Sequence, residues 1–255
     1  MKFKDLSIAL VNVINEYKKY PLNKELNGGI GTYDYIGNSW SSRIIQFSRS
    51  KINYVPVVSF SHLQAIFLDG GVANVQFFEG NFTKKQNQRF NMILIFGSIV
   101  DYRNENKVCL NLKNEFPDAK IGFFGNFPTR RPEIFKSGDF VIVGEAEAFF
   151  MEEFSSLKNM EGIIRVTKEL NINKRPAPNL DNFPLQKYSY SPGLNIKPFF
   201  PLQGSMGCPY SCGYYCTYGA FQGKLIRQRT AKLIVDDIIK IKQKYGIKSI
   251  QFRDP

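Results

Sequence analysis

Short apolar runs alternate with stretches of helical periodicity along most of the chain. Ser7 to Val13, Ala73 to Phe78, Met92 to Phe96, Lys120 to Phe124 and Phe140 to Val143 are brief and apolar on both faces. Such runs, bounded by Gly or Asp, suit a parallel sheet covered on both sides. Helices are expected between them. One spans Pro56 to Leu68. A second spans Glu105 to Phe116, with Val108, Leu112 and Phe116 spaced at four, and a third spans Ala148 to Leu157. The alternation predicts an α/β fold whose N-terminal part is a doubly wound, Rossmann- or flavodoxin-like parallel sheet.

Ligands in such sheets bind at the carboxyl ends of the strands. Here those ends are Gly97-Ser98, Gly125-Asn126 and Gly144-Glu145. A Gly at any one of them can simply end a strand; three at corresponding edges suggest a shared crevice. The segment from Ile14 to Tyr54 fits the alternation poorly. Its Gly28-Gly29-Ile30-Gly31-Thr32 run reads as a glycine-rich loop, with neither the Lys-Ser/Thr of a P-loop nor dinucleotide-binding spacing.

The texture changes from Gly162 to Pro198. Arg175 to Pro184 is punctuated by prolines and reads as extended linker. A second α/β unit follows. Phe199 to Gly204 is a candidate strand. Thr230 is a candidate N-cap for a helix running to Tyr245, Gly246 its C-cap, and Ser249 to Phe252 the next strand. The expected organisation is a Rossmann-like domain over 1–160, a linker over 161–198 and a second unit over 199–255.

Composition narrows the setting. The chain has 255 residues and 43% hydrophobic content, enough for a substantial core. No apolar run reaches the roughly 20 residues of a membrane span, and the N-terminus has no signal-peptide pattern. Four cysteines, three of them clustered, do not read as a secreted disulfide framework, so a reducing, cytoplasmic compartment is expected. Net charge is +12, with eleven Lys/Arg against three Asp/Glu from Leu185 onward. That could attract an anionic partner such as nucleic acid. The preferred reading is that residues following Pro255 supply the balancing acids, and no RNA-binding module is recognisable.

The plainest chemistry lies in Cys208-Pro209-Tyr210-Ser211-Cys212-Gly213-Tyr214-Tyr215-Cys216. Three thiolates within nine residues can face one inorganic centre. A tetrahedral Zn site or a fully ligated cluster needs a fourth ligand, and Cys109 lies far off in sequence. The spacing favours a [4Fe-4S] cluster with one open iron. The alternatives are a Zn site completed from elsewhere, or thiols packed as small hydrophobes.

This loop resembles the hallmark of the radical S-adenosylmethionine enzymes, Cys-x-x-x-Cys-x-aromatic-Cys, with one extra residue before Cys216. Phe116 to Gly125 and Gly138 to Glu147 resemble parts of the cobalamin-binding domains that precede many such enzymes, and the linker around Pro178, Asp181 and Pro184 is similar too. The resemblance implies a truncated radical-enzyme barrel over 199–255 and Cys208, Cys212 and Cys216 as cluster ligands. It implies S-adenosyl-L-methionine beside Tyr215, Arg253 and Asp254, and a cobalamin-like site at Ser98, Gly125 and Asn126. The family's Asp-x-His-x-x-Gly motif is absent, and His62 reads as structural, so any cobalamin would lack a histidine lower ligand. The function implied is reductive cleavage of S-adenosylmethionine to a 5′-deoxyadenosyl radical, leading to cobalamin-dependent methyl transfer or rearrangement. The partners implied are a small-molecule substrate and a reductant such as flavodoxin or ferredoxin. Two further readings are a corrinoid or nucleotide-like ligand-binding module and, last, a tRNA-modifying radical enzyme.

Overall fold

A computed structural model gives the architecture. It describes residues 3–4, 6–14, 22–25, 32–33, 37–52, 54–80, 82, 88–190, 196–210, 212, 216 and 218–254. The chain opens with strand β1 (Ser7–Asn12), a short antiparallel pair β2 (Leu22–Asn23) and β3 (Thr32–Tyr33), and helices α1 (Trp40–Ile52) and α2 (Val58–Asp69). Then come β4 (Asn74–Glu79), β5 (Met92–Phe96), α3 (Tyr102–Glu115), β6 (Lys120–Phe124), α4 (Asn126–Arg130) and β7 (Phe140–Val143). A short α5 (Ala146–Ala148) runs into a π turn over Phe149–Glu153, and β8 (Gly162–Arg165) follows.

Six of these strands form one parallel sheet in the order β4-β1-β5-β6-β7-β8. This is a mixed α/β, Rossmann-like fold. After β4 the winding reverses across β1, so the topological switch point lies between β1 and β5, where open parallel sheets present a crevice. The alternation seen in the sequence lands on β1, β4, β5, β6 and β7 almost residue for residue. Their interior positions are close to fully buried because helices cover both faces.

The two faces carry different cores. On one, α3 lays Cys109 and Leu112 against Ile93, Ile95, Ile121 and Phe123. On the other, α2 and the π turn bring Phe60, Phe67, Phe149 and Phe150 against Leu10, Leu94, Phe96 and Phe124. That second face continues into the C-terminal unit through Phe183, Phe199 and Phe200. Phe77 stacks on Phe183 with ring centroids 3.9 Å apart.

The C-terminal unit comprises β9 (Phe199–Leu202), β10 (Ser205–Met206), α6 (Tyr218–Phe221), β11 (Arg227–Gln228), α7 (Ala231–Tyr245) and β12 (Ser249–Phe252). β9 and β12 pair in parallel, and β10 and β11 antiparallel. Helix α7 is bounded by its own sequence. Thr230 Oγ1 accepts from the Leu233 N–H at 3.4 Å, and Gly246 closes the other end at φ 66°. Segment 161–198 is more than a connector: it supplies β8 and buries Leu170, Ile172, Leu180, Phe183 and Tyr188. No described helix is long and apolar enough to cross a membrane.

Candidate functional site at the carboxyl edge

Three turns leave the sheet at its carboxyl edge, each followed by a buried polar residue. After β5 comes Ser98. Its N–H and hydroxyl donate to the two oxygens of Glu105, at 2.7 and 2.6 Å, and Lys24 Nζ donates to Glu105 Oε1 at 2.7 Å. Glu105 and Lys24 are essentially shielded from solvent. Burial pushes the Glu105 carboxyl up, and Lys24 and Ser98 act against that. The Ser98 hydroxyl is therefore committed to the protein itself.

After β6 comes Gly125, held at φ 116°, where a side chain would also collide with the Phe96 ring. That turn starts α4 and buries Asn126. Thr129 fastens it, donating to Gly125 O at 2.8 Å and accepting from Gly144 N at 3.0 Å. After β7 comes Glu145, which receives both terminal nitrogens of Arg227. Arg227 also donates to Leu170 O and Gln222 O. One half-buried side chain thus joins sheet, linker and C-terminal unit.

A deeper polar layer separates the two units. Arg229 makes a two-pronged contact with Asp237, at 2.7 and 3.0 Å, and donates to Ile172 O and Arg175 O. Arg175 is fully enclosed. It donates to Gln203 and, at 3.7 Å, to Met206 Sδ, and burial lowers its guanidinium to about 10. His62 lies on α2 close to Arg175 and Arg229. Burial and those two cations depress it far below the ordinary imidazole range, so it is neutral, in keeping with a structural place.

Between these layers and Asn126 is a small enclosed cavity lined by Glu25, Val58, Ser59, Asn126, Gln203, Met206, Tyr218, Phe221, Gln222 and Arg253, with about 30 Å³ free. Glu25 accepts from the Val58 N–H, the first of α2, at 2.9 Å. Burial raises its carboxyl to about 7, against the pull of that N–H and of Arg253. Arg253 Nη2 donates to Glu25 O at 3.2 Å, and its Nη1 is buried with no partner. Tyr218 points its hydroxyl at the same carbonyl at 3.5 Å. An acid near neutrality, a guanidinium with an unused donor and a helix N-terminus therefore meet at the carboxyl edge of the sheet. A roomier groove, about 560 Å³ between α2, Pro176 to Asn179 and α7, lies toward the opposite edge, where α2 ends.

The residues singled out from the sequence fare unequally. Asn126 and Arg253 line this cavity. Asp254 does not; its Oδ1 accepts from the N–H groups of Gly204 and Ser205, holding the turn after β9. Ser98 and Gly125 serve the fold. Cys208 and Cys216 are half-buried and Cys212 is exposed. Tyr215 and the Gly28–Gly31 loop lie outside the described residues. Sequence reasoning missed Glu25, Glu105, Arg175, Arg227 and Arg229. Of the buried carboxylates, Glu145 stood in a strand-end motif and Glu105 on a predicted helix, where periodicity marks the apolar face and not the polar residue, whereas Glu25 sits in a segment without periodicity.

No protein-family model matches the chain. A stretch of 129 residues is 30% identical to an uncharacterized methyltransferase of Pyrococcus horikoshii, covering 46% of this chain and 28% of that protein. The chain thus spans less than a third of the length of the curated relative it matches.

These findings overturn the reading as a radical S-adenosylmethionine enzyme. The similarity found is to a methyltransferase carrying no such description. Among the described residues, no three Cys, His, Asp or Glu side chains gather closely enough to hold a metal ion. Cys208, Cys212 and Cys216 differ in exposure and do not converge, so they do not fit a [4Fe-4S] cluster. Cobalamin is not supported either. Ser98 is spent on Glu105, and the space beside Asn126 is about that of one water molecule. The radical cleavage, the corrinoid module and the tRNA-modifying radical enzyme are withdrawn with them.

Proposed function

We propose that this chain is part of a methyltransferase that takes its methyl group from S-adenosylmethionine, with the Glu25–Arg253 cavity as the anchor for the donor's amino-acid end. The observation that carries the reading is the similarity to the Pyrococcus protein. The cavity supports it chemically. Arg253 Nη1, buried without a partner, suits a carboxylate, and the Glu25 carboxyl suits an ammonium. Both stand beside the N-terminus of α2, which favours negative charge.

In the transfer, a lone pair on the acceptor attacks the methyl carbon. The carbon–sulfur bond breaks with its electron pair going to sulfur, and the sulfonium becomes a neutral thioether. The chain's own residues orient the donor: Arg253 and Glu25 fix its two charged groups while the sheet edge carries the rest. The small free volume means that the amino-acid end must displace the C-terminal unit slightly from α2 as it enters.

Titration calorimetry with S-adenosylhomocysteine, followed by methyl release from labelled donor, tests the proposal. Binding is expected, and Arg253→Ala should weaken it by tenfold or more. It should also weaken below about pH 7, as Glu25 takes up its proton and can no longer pair with the ammonium. Absence of binding by both donor and product at millimolar concentration, or binding indifferent to Arg253→Ala and Glu25→Gln, would sink the idea.

A further inference from the structure

The carboxyl ends of β9 and β12 set two polar side chains next to each other at the Glu25–Arg253 cavity. These strands run parallel with Leu202 opposite Phe252, so the residues that follow, Gln203 and Arg253, leave neighbouring strands side by side, about 5 Å apart in the backbone. Both line the cavity, and so does Gln222, which follows α6 and is 6% exposed. A free space of about 30 Å³ gathers these side chains around one small group.

Their neighbours settle which end of each glutamine is available. An amide offers an acceptor oxygen and a donor NH2 group. Arg175 has donors only: its Nη1 donates to Gln203 Oε1 at 3.2 Å and its Nη2 to Gln203 O at 3.1 Å. The Gly207 N–H donates to Gln222 Oε1 at 3.2 Å, and Arg227 Nη2 donates to Gln222 O at 2.6 Å. Both side-chain oxygens are taken by groups that cannot accept. Each Nε2 is left as a donor with no acceptor among the described residues. The guanidinium on Gln203 Oε1 polarises that amide and strengthens its donor end. Arg253 Nη1, buried without a partner, is a third donor. Against these the cavity wall offers one ionisable acceptor, the Glu25 carboxyl.

We propose that Gln203 and Gln222 are specificity-determining residues of this cavity, whose amide N–H groups join Arg253 in reading the carboxylate of an α-amino-acid group. The proposal rests on the reading of the cavity as the anchor for the amino-acid end of S-adenosylmethionine, and adds that the site selects ligands by their carboxylate. A carboxylate has two oxygens with about four lone-pair sites, enough for three donors. A ligand with the ammonium alone would leave all three donors unmet in a desolvated space, which is costly. Arg175 and Arg227 act here as positioning residues, because each holds the main chain of one glutamine and Arg175 also fixes the amide of Gln203.

Titration calorimetry on the full chain compares S-adenosylhomocysteine with its decarboxylated analogue. The parent should prefer the ligand that keeps its carboxylate by about tenfold or more. Gln203→Glu retains an oxygen for Arg175, and Gln222→Glu one for the Gly207 N–H, while each turns a second carboxylate oxygen toward the ligand in place of the NH2 group. Each variant should lose the preference and bind the decarboxylated analogue at least as tightly as the parent does, a pattern that general loosening of the fold would not produce. The two variants lie on different segments, and the parent's own preference tests the proposal should either disturb folding. L-Methionine, which carries the amino-acid end alone, separates the proposal from the reading it rests on. If S-adenosylhomocysteine fails to bind, yet millimolar L-methionine raises the unfolding temperature of the parent and of neither variant, the proposal stands and the methyltransferase reading falls. Equal affinity of the parent for the two nucleosides, or a preference that both glutamate variants keep, overturns the proposal and leaves that reading in place. Absence of binding by either nucleoside and by L-methionine overturns both.

Discussion

Two buried carboxyl groups at the same sheet edge have opposite fates. Glu105 meets three donors, Lys24 Nζ and the N–H and hydroxyl of Ser98, and is sealed from solvent. Glu25 meets the backbone N–H groups of Val58 and Ser59 at the start of α2 but no side-chain donor fills its capacity, and its cationic neighbour Arg253 reaches its backbone carbonyl while keeping Nη1 unused. Both are pushed upward by burial. A carboxylate with its hydrogen-bonding capacity filled is part of the scaffold. One left short, beside an unpaired guanidinium nitrogen, retains the capacity to bind something else.

Lys24→Ala should break the contrast most severely, because it strands Glu105 as a buried charge. The expected loss is roughly 3 kcal/mol or more in a denaturant titration. Glu25→Gln should act in the opposite sense. The folded chain holds the Glu25 proton up to about pH 7, whereas an unfolded carboxyl releases it near its ordinary value of 4.5. Stability therefore falls as pH rises through that window. The variant, which does not ionise, should be more stable than the parent by about 3 kcal/mol at pH 8 and equal to it near pH 4.

Ser98→Ala removes one of three donors to Glu105 and should cost about 2 kcal/mol by the same titration. Arg253→Ala should move stability least, by about 1 kcal/mol or less, because the side chain contacts only the Glu25 carbonyl and the Tyr218 hydroxyl among the described residues. It should still raise the Glu25 midpoint above about 7 in a carboxyl-resolved NMR titration, since the guanidinium holds that carboxyl down. A large stability loss at Arg253 with an unmoved Glu25 midpoint would erase the distinction between the two corners.

The loop with the strongest sequence signal and the residues that form the cavity are not the same. Cys208, Cys212 and Cys216 stood out because their spacing is visible in one line of text, yet spacing does not fix whether three side chains turn toward one point. Asn126 was noticed for following a glycine at a strand end, which the alternation locates well, and Arg253 only through the family resemblance. Glu25 gave no signal, because its role depends on the start of α2, thirty-three residues on, and on Arg253 at the far end of the chain. The π turn at Phe149–Glu153 was expected as ordinary helix, and β8 as part of the linker. Neither Phe149-Phe150 nor Gly162-Ile163-Ile164-Arg165 announces its neighbours, and packing against α2 and pairing with β7 decide them.

By itself the sequence determined the strands that alternate with helices, and with them the parallel, doubly covered sheet. It also determined the limits of α7 through Thr230 and Gly246. These are local matters: an apolar run, a cap and a turn residue act over a few positions. Tertiary structure alone decided which charges are neutralised and which are left wanting. Desolvation and ion pairing act across space, between Lys24 and Glu105, Glu145 and Arg227, Glu25 and Arg253, whose separations along the chain carry no pattern.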